Sequence, residues 1–206
     1  MRTRSIAARA VPAVALALAL GLALDGAVAH ACGGARHAAA SKRAGQGRAP
    51  LVIGDSVLLG AVRQVAGAGF EVDTRGCRQM REGVRIIAAR RRAGTLPRLV
   101  VLALGTNGSI RMREIRAALA QMGRERVLGL VTPRELGGGS GSDARVIRAA
   151  GRRFGERVRV LDWVRASGGR GGWFAGDGIH LGPGGAAGLA RLLRGARELV
   201  VAPLCP

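Results

Sequence analysis

The sequence contains no tyrosine, and its aromatic residues are limited to Phe70, Phe154, Phe174, Trp163 and Trp173. So few π-faces cannot form a row of base-stacking platforms, which excludes a single-strand nucleic-acid binder. Histidine and cysteine occur three times each, with no CxxC or HExxH spacing. A dedicated transition-metal site is therefore not expected, and no cofactor is implied. Acidic residues are scarce, 13 against 33 basic ones, giving a formal charge of +20. Lys42 is the only lysine, so the basic side is almost wholly arginine, a skew that fits biased codon usage as much as function. Such a charge predicts loose attraction to anionic envelope polymers and no specific nucleic-acid partner. No long membrane span is apparent either: the uninterrupted apolar run Val11 to Leu24 is about fourteen residues, short of the roughly twenty a bilayer crossing needs.

What is present suits one compact domain plus a short extra: 206 residues, 48% of them apolar. Residues 1–31 combine a basic start (Arg2, Arg4, Arg9), that apolar run, and small residues ending Ala29-His30-Ala31. This pattern reads as a secretory signal with an A-x-A cleavage site, and without a twin arginine the general secretory route is expected. Cys32 directly after the cut raises lipid anchoring as a rival, disfavoured because lipoprotein signals usually carry Leu or Val three residues before the cysteine, where Ala29 stands here, followed by His30. Residues 32–49, rich in Gly, Ala and basic residues without apolar periodicity, read as a flexible tether. The folded domain is expected over residues 50–206, as a monomer outside the cytoplasm.

From Leu51 the pattern alternates. Short apolar runs at 51–54, 70–73, 99–104, 127–131 and 158–163 predict strands, and the run LVVLAL, apolar on both faces, predicts a central one. Helical spacing recurs at 57–68, 78–92, 110–122, 143–154 and 184–199. Five strands alternating with helices predict a three-layer α/β/α domain on a five-stranded parallel sheet, with ligand chemistry at the strands' carboxyl ends.

Of the histidines, His30 falls in the expected signal and His37 in the expected tether, so imidazole chemistry in the body depends on His180. Asp177 stands three residues earlier in a glycine-rich loop, where an acid can orient the ring and stabilise its protonated form. Taken alone, such a pair is more often structural. Ser56 ends the first strand and begins the next helix, which suits either a nucleophile whose developing charge faces a helix N-terminus or a plain N-cap. Asn107, after the central strand, can donate its amide to an oxyanion or satisfy a turn.

Together, Ile53-Gly54-Asp55-Ser56, a glycine after strand two, Gly105-Thr106-Asn107 and Asp177-x-x-His180 resemble the ordered blocks of the SGNH, or GDSL-type, hydrolase family over about residues 51–200. VLALGTNG, VLDW and WFAGDGIHLGPGGA are similar to SGNH domains fused to membrane acyltransferases of bacterial envelope O-acetylation. The resemblance implies a flavodoxin-like sheet with Ser56 as nucleophile, His180 as base and Asp177 as orienting acid. It implies an oxyanion hole from the Ser56 N–H, the Asn107 amide and a backbone N–H at Gly76, with Cys77 as the alternative because the second block reads Arg75-Gly76-Cys77-Arg78. Gly108 replaces the aspartate that often follows the block asparagine.

Trp173 and Phe174 are expected either to wall an acyl or sugar pocket or to pack beneath the Asp177 loop, and Arg78 to contact substrate. The basic run Arg90-Arg91-Arg92 reads as a solvated helix end, and Gly137–Gly141 as a lid or merely a loop. Export to an oxidising compartment predicts a Cys77–Cys205 disulfide, with Cys32 as a rival partner if it carries no lipid. The leading expectation is a secreted serine esterase acting on small acyl esters, such as acetyl on a wall glycan, through an acyl-enzyme. O-acetyl transfer to envelope glycans is the alternative. A noncatalytic envelope-binding module and a polyanion binder are weaker rivals.

Overall fold

The computed structural model describes residues 32, 34–41 and 47–201. The expected signal and Cys205 lie outside the described residues. The described chain forms one six-stranded sheet: β1 (Ala35–Ala38), β2 (Leu51–Gly54), β3 (Glu71–Arg75), β4 (Leu99–Ala103), β5 (Val127–Val131) and β6 (Val158–Leu161). Its order is β1-β3-β2-β4-β5-β6, with every pairing parallel except the antiparallel β1–β3 edge.

Strand alternation explains the three layers. Along β4, Leu99 and Val101 enter the core on one face and Val100 and Leu102 the core on the other, all at most 1% exposed. Burying each such side chain contributes about 1.5–3 kcal/mol relative to leaving it exposed. On the first face lie α1 (Ser56–Leu59), α2 (Val62–Gly67) and the long α7 (Pro183–Val201). The opposite face is covered by α3 (Met80–Arg92), α4 (Met112–Met122) and α5 (Ser142–Phe154), with the short α6 (Trp163–Ala166) following β6. Connections from β2 therefore run to one side and those from β3 onward to the other. The reversal opens a crevice between the carboxyl ends of β2 and β4, where ligand sites of doubly wound sheets lie. Among the described residues no helix is long and apolar enough to cross a membrane.

The sheet departs from the expected five strands by one. Ala35-Arg36-His37-Ala38 lies within the stretch read as a tether, yet pairs with β3 in the register Ala35↔Arg75 to Ala38↔Val72. Three of its four residues are exposed, so its order comes from main-chain pairing at a sheet edge, which apolar periodicity does not report. The disulfide is corrected in consequence: Cys32 pairs with Cys77, not Cys205 with Cys77, at a Cα–Cα distance of 4.8 Å. Continuing the antiparallel register beyond Ala35↔Arg75 brings Cys32 alongside the turn that carries Cys77. A sulfur engaged in that bond is not available for a lipid thioether. The arginine run at the end of α3 is also partly tied down: Arg90 pairs with Glu71, and Arg91 donates to the carbonyls of Ala120 and Gln121 at the end of α4.

Candidate active site

The first part of the site is the turn after β2. A Cβ at Gly54 would stand 2.4 Å from Leu58 Cδ2, so glycine lets α1 start directly at the strand's end. Asp55, 1% exposed, caps that helix by accepting the Val57 N–H at 3.1 Å. Its second oxygen accepts the Thr106 hydroxyl at 2.7 Å and the Thr106 N–H at 3.4 Å. One buried carboxylate thus ties the ends of β2 and β4 across the crevice. Burial raises the Asp55 pKa, and the donors from Thr106 and Val57 work against that shift.

Ser56 stands at the head of α1, its Oγ 3.1 Å from His180 Nε2. The other ring nitrogen, Nδ1, lies 2.5 Å from Asp177 Oδ2. With the proton on Nδ1 donated to the carboxylate, Nε2 is left to accept from the serine hydroxyl. The remaining Asp177 oxygen accepts the N–H groups of Ile179 and His180 at 2.9 and 3.0 Å. Chiefly through its bond to His180, Asp177 is held at a pKa of about 2, below the ordinary 3.8. A carboxylate so held stays ionised beside the imidazole throughout the neutral range.

The Asp177 loop is braced from several sides. The Ala175 N–H donates to the His180 carbonyl at 2.8 Å, and Phe174 bridges Leu181. From the glycine-rich segment after β5, the Gly137 N–H reaches the Asp177 carbonyl at 3.0 Å, and Arg134 Nε reaches the Gly178 carbonyl at 2.8 Å. Gly178 has φ +71°, and a Cβ there would meet the Gly138 nitrogen at 2.9 Å, so no other residue fits without displacement. Gly137–Gly141 therefore begins as a buttress of the Asp177 loop. Arg134 was not foreseen from the sequence, since nothing local connects it to a loop more than forty residues away.

The three donors expected at the oxyanion differ in what they already bond to. Among the described residues, the Ser56 N–H has no acceptor. Asn107 Nδ2 gives one hydrogen to Thr106 Oγ1 at 3.0 Å and keeps a second. Gly76 departs from the expectation: its N–H donates to the Gly34 carbonyl at 2.7 Å, because the pairing of β1 with β3 runs on into the turn. Arg78 also departs, being 6% exposed and turned inward. Its guanidinium donates to the Gly54 and Asp73 carbonyls and pairs with the Asp73 carboxylate at 2.7 Å, so it braces strand ends rather than facing substrate.

Trp173 stacks on Trp163 at 5.8 Å, carries the Arg170 guanidinium over its ring at 4.5 Å, and fills the space left by Gly184 and Gly188 of α7. Phe174 meets the edge of Trp163 at 5.9 Å and lies under Arg134 at 4.1 Å. Of the two expected roles, packing beneath the Asp177 loop describes both rings. Among the described residues no group of three His, Cys, Asp or Glu side chains is placed to hold a metal ion.

This arrangement has counterparts of known structure. The C-terminal catalytic domain of Streptococcus pneumoniae peptidoglycan O-acetyltransferase A, solved with a methylsulfonyl adduct, superposes with a TM-score of 0.65 at 21% identity, covering 74% of this chain and 93% of that one. A GDSL-like lipase from Bacteroides thetaiotaomicron superposes at 0.55 with 15% identity, covering 74% of this chain and 88% of its own. This is the SGNH/GDSL-type hydrolase fold. In sequence, the chain is 30% identical over 137 residues to the O-acetyltransferase OatA of Staphylococcus aureus. That match takes in 64% of this chain but only 22% of the longer relative. No protein-family model matches the chain.

Proposed function

We propose that this SGNH protein is an extracytoplasmic serine esterase or acyltransferase acting on small acyl esters, with acetylated envelope glycan as the natural substrate class. The observation that carries the reading is the continuous relay Ser56 Oγ–His180 Nε2 and His180 Nδ1–Asp177 at the sheet's crevice. In the first step the Ser56 oxygen attacks the ester carbonyl while its proton passes to His180 Nε2; the new imidazolium is stabilised by the Asp177 carboxylate. The oxyanion is met by the Ser56 N–H and the Asn107 amide. Collapse breaks the carbonyl–oxygen bond to the alcohol, which takes the proton from His180, and leaves an acyl group on Ser56. Water, or a sugar hydroxyl, then repeats the sequence in reverse, His180 accepting its proton.

A small acyl group is supported by the likeness to proteins named O-acetyltransferases. The Cys32–Cys77 disulfide supports an oxidising, extracytoplasmic setting. A screen of p-nitrophenyl esters of graded chain length tests the reading: acetyl and propionyl esters should turn over, octanoyl poorly, and Ser56→Ala protein not at all. Equal turnover by the Ser56→Ala protein would refute it. Transfer in place of hydrolysis is favoured by one observation, the likeness to proteins named O-acetyltransferases. Against it, the His180 and Asp177 side chains are 48% and 32% exposed, which leaves the relay open to water. Given an activated acetyl ester and wall-glycan oligosaccharides, the protein should release mostly free acetate. Acetylated sugar dominating at millimolar acceptor would make it a transferase.

A further inference from the structure

The turn after β3 leaves the oxyanion hole one backbone donor short of the number its sequence resemblance implies. The Gly76 N–H is spent on Gly34. The next peptide belongs to Cys77, which has φ +56° and is the one residue other than glycine with positive φ among the described residues. Its N–H has no acceptor among the described residues. The turn is also placed correctly: β3 lies beside β2 in the register Gly54↔Thr74, and the Thr74 hydroxyl donates to the Asp55 carbonyl at 2.6 Å, so Cys77 follows a strand end bonded to the peptide just before Ser56.

A residue with a Cβ is disfavoured in the left-handed region, so Cys77 is held there by contacts around it. The turn is closed by the Arg78 N–H on the Arg75 carbonyl at 3.4 Å and anchored from below by the Arg78 guanidinium on Gly54 and Asp73. Two further contacts come from the segment ahead of β1: the Cys32–Cys77 disulfide, the one that grips Cys77 itself, and the Gly34 carbonyl on the adjoining peptide. With the Gly76 N–H spent, the resemblance leaves Cys77 as the second backbone donor; we infer that the arm ahead of and including β1, clamped by the Cys32–Cys77 disulfide, is the device that positions that N–H. Cys32 is thus a positioning residue, acting through Cys77 without touching substrate. Turnover in this protein accordingly depends on the oxidation state of that disulfide. Releasing the arm lets Cys77 relax toward negative φ and swings its N–H away from the site.

The inference rests on the esterase reading, and three variants test it with p-nitrophenyl acetate and thermal unfolding: Cys32→Ser, Cys77→Ala and Cys77→Gly. All three lack the disulfide and should share a lowered Tm. They should differ in rate, because glycine adopts positive φ without strain and alanine does not. Cys32→Ser and Cys77→Ala should lose about tenfold in kcat with KM little changed, a weakening rather than a full deletion of one oxyanion donor, while Cys77→Gly should stay within about threefold of the wild type. The dithiothreitol-reduced wild type should match Cys32→Ser, which keeps the comparison available if that variant does not fold. A purely stabilising disulfide would leave Cys77→Ala and Cys77→Gly with the same kcat, and that result would overturn the inference without touching the esterase reading. Absence of Ser56-dependent turnover in the oxidised wild type would remove both.

Discussion

The loop whose His180 reaches Ser56 and the turn that follows β3, the strand beside β2, are held in different ways. The Asp177–His180 loop is largely self-supporting: acid and base are three residues apart, and one Asp177 oxygen ties down the amides of Ile179 and His180. The Gly76–Cys77 turn is held from far along the chain, by Cys32 and Gly34, and from below by Arg78 on Gly54 and Asp73. Acid–base chemistry is thus locally encoded, whereas the environment of the oxyanion depends on non-local stitching. The first should survive perturbation of the chain's N-terminal arm. The second should not.

The largest effect should come from cutting the relay itself. Ser56→Ala and His180→Ala should each remove nearly all ester turnover, and the double variant should be no slower than either alone, because the residues act as one unit. Steady-state rates and fluorophosphonate labelling check this; additive losses would show that the two side chains work independently.

On the oxyanion side, Asn107→Ala should lower kcat by about a hundredfold with KM nearly unchanged, as loss of one preorganised donor does. A pure KM effect would move Asn107 from transition-state stabilisation to ground-state binding.

Arg78→Met separates scaffold from substrate contact. The Asp73 carboxylate would lose its buried partner, destabilising the fold by about 3 kcal/mol. Denaturant unfolding should show that loss, with turnover per folded molecule reduced mainly in kcat. A selective rise in KM at unchanged stability would return Arg78 to the substrate-binding role expected from the sequence.

The smallest effect concerns acid. Asp177 is at about 2 in the fold against an ordinary 3.8, so its contribution to stability is fully present above pH 3.8 and is lost as pH falls through about 2. Asp55 shifts in the opposite direction, so the comparison must be made against Asp177→Asn. The wild-type Tm advantage over that variant should shrink between pH 4 and 2; a constant difference would mean that the carboxylate's bond to His180 contributes no pH-dependent stability.

Most of this molecule was legible in the residues. Apolar runs such as LVVLAL marked the parallel strands, because a strand buried on both faces must be apolar throughout. The Gly-Asp-Ser turn and the Asp-x-x-His loop marked the relay, because their chemistry is local. Besides the Arg134 buttress and the engaged Gly76 N–H, other features were not legible. β1 is ordered by main-chain pairing, which leaves no periodic trace in Ala35-Arg36-His37-Ala38. Arg78 looks like a surface cation until the sheet closes over it. Trp173 and Phe174 suit a pocket wall as well as a core, and only the glycines of α7 and the ring of Trp163 decide between them. The partner of Cys77 depends on an antiparallel register, not on spacing. The sequence by itself determined the layers, the strand ends and the candidate residues Ser56, Asp177 and His180, through periodicity and short-range motif chemistry. Only the tertiary structure decided that the Gly76 N–H is spent on Gly34 and that Cys32 clamps Cys77, because those contacts join residues that nothing in the chain's local pattern connects.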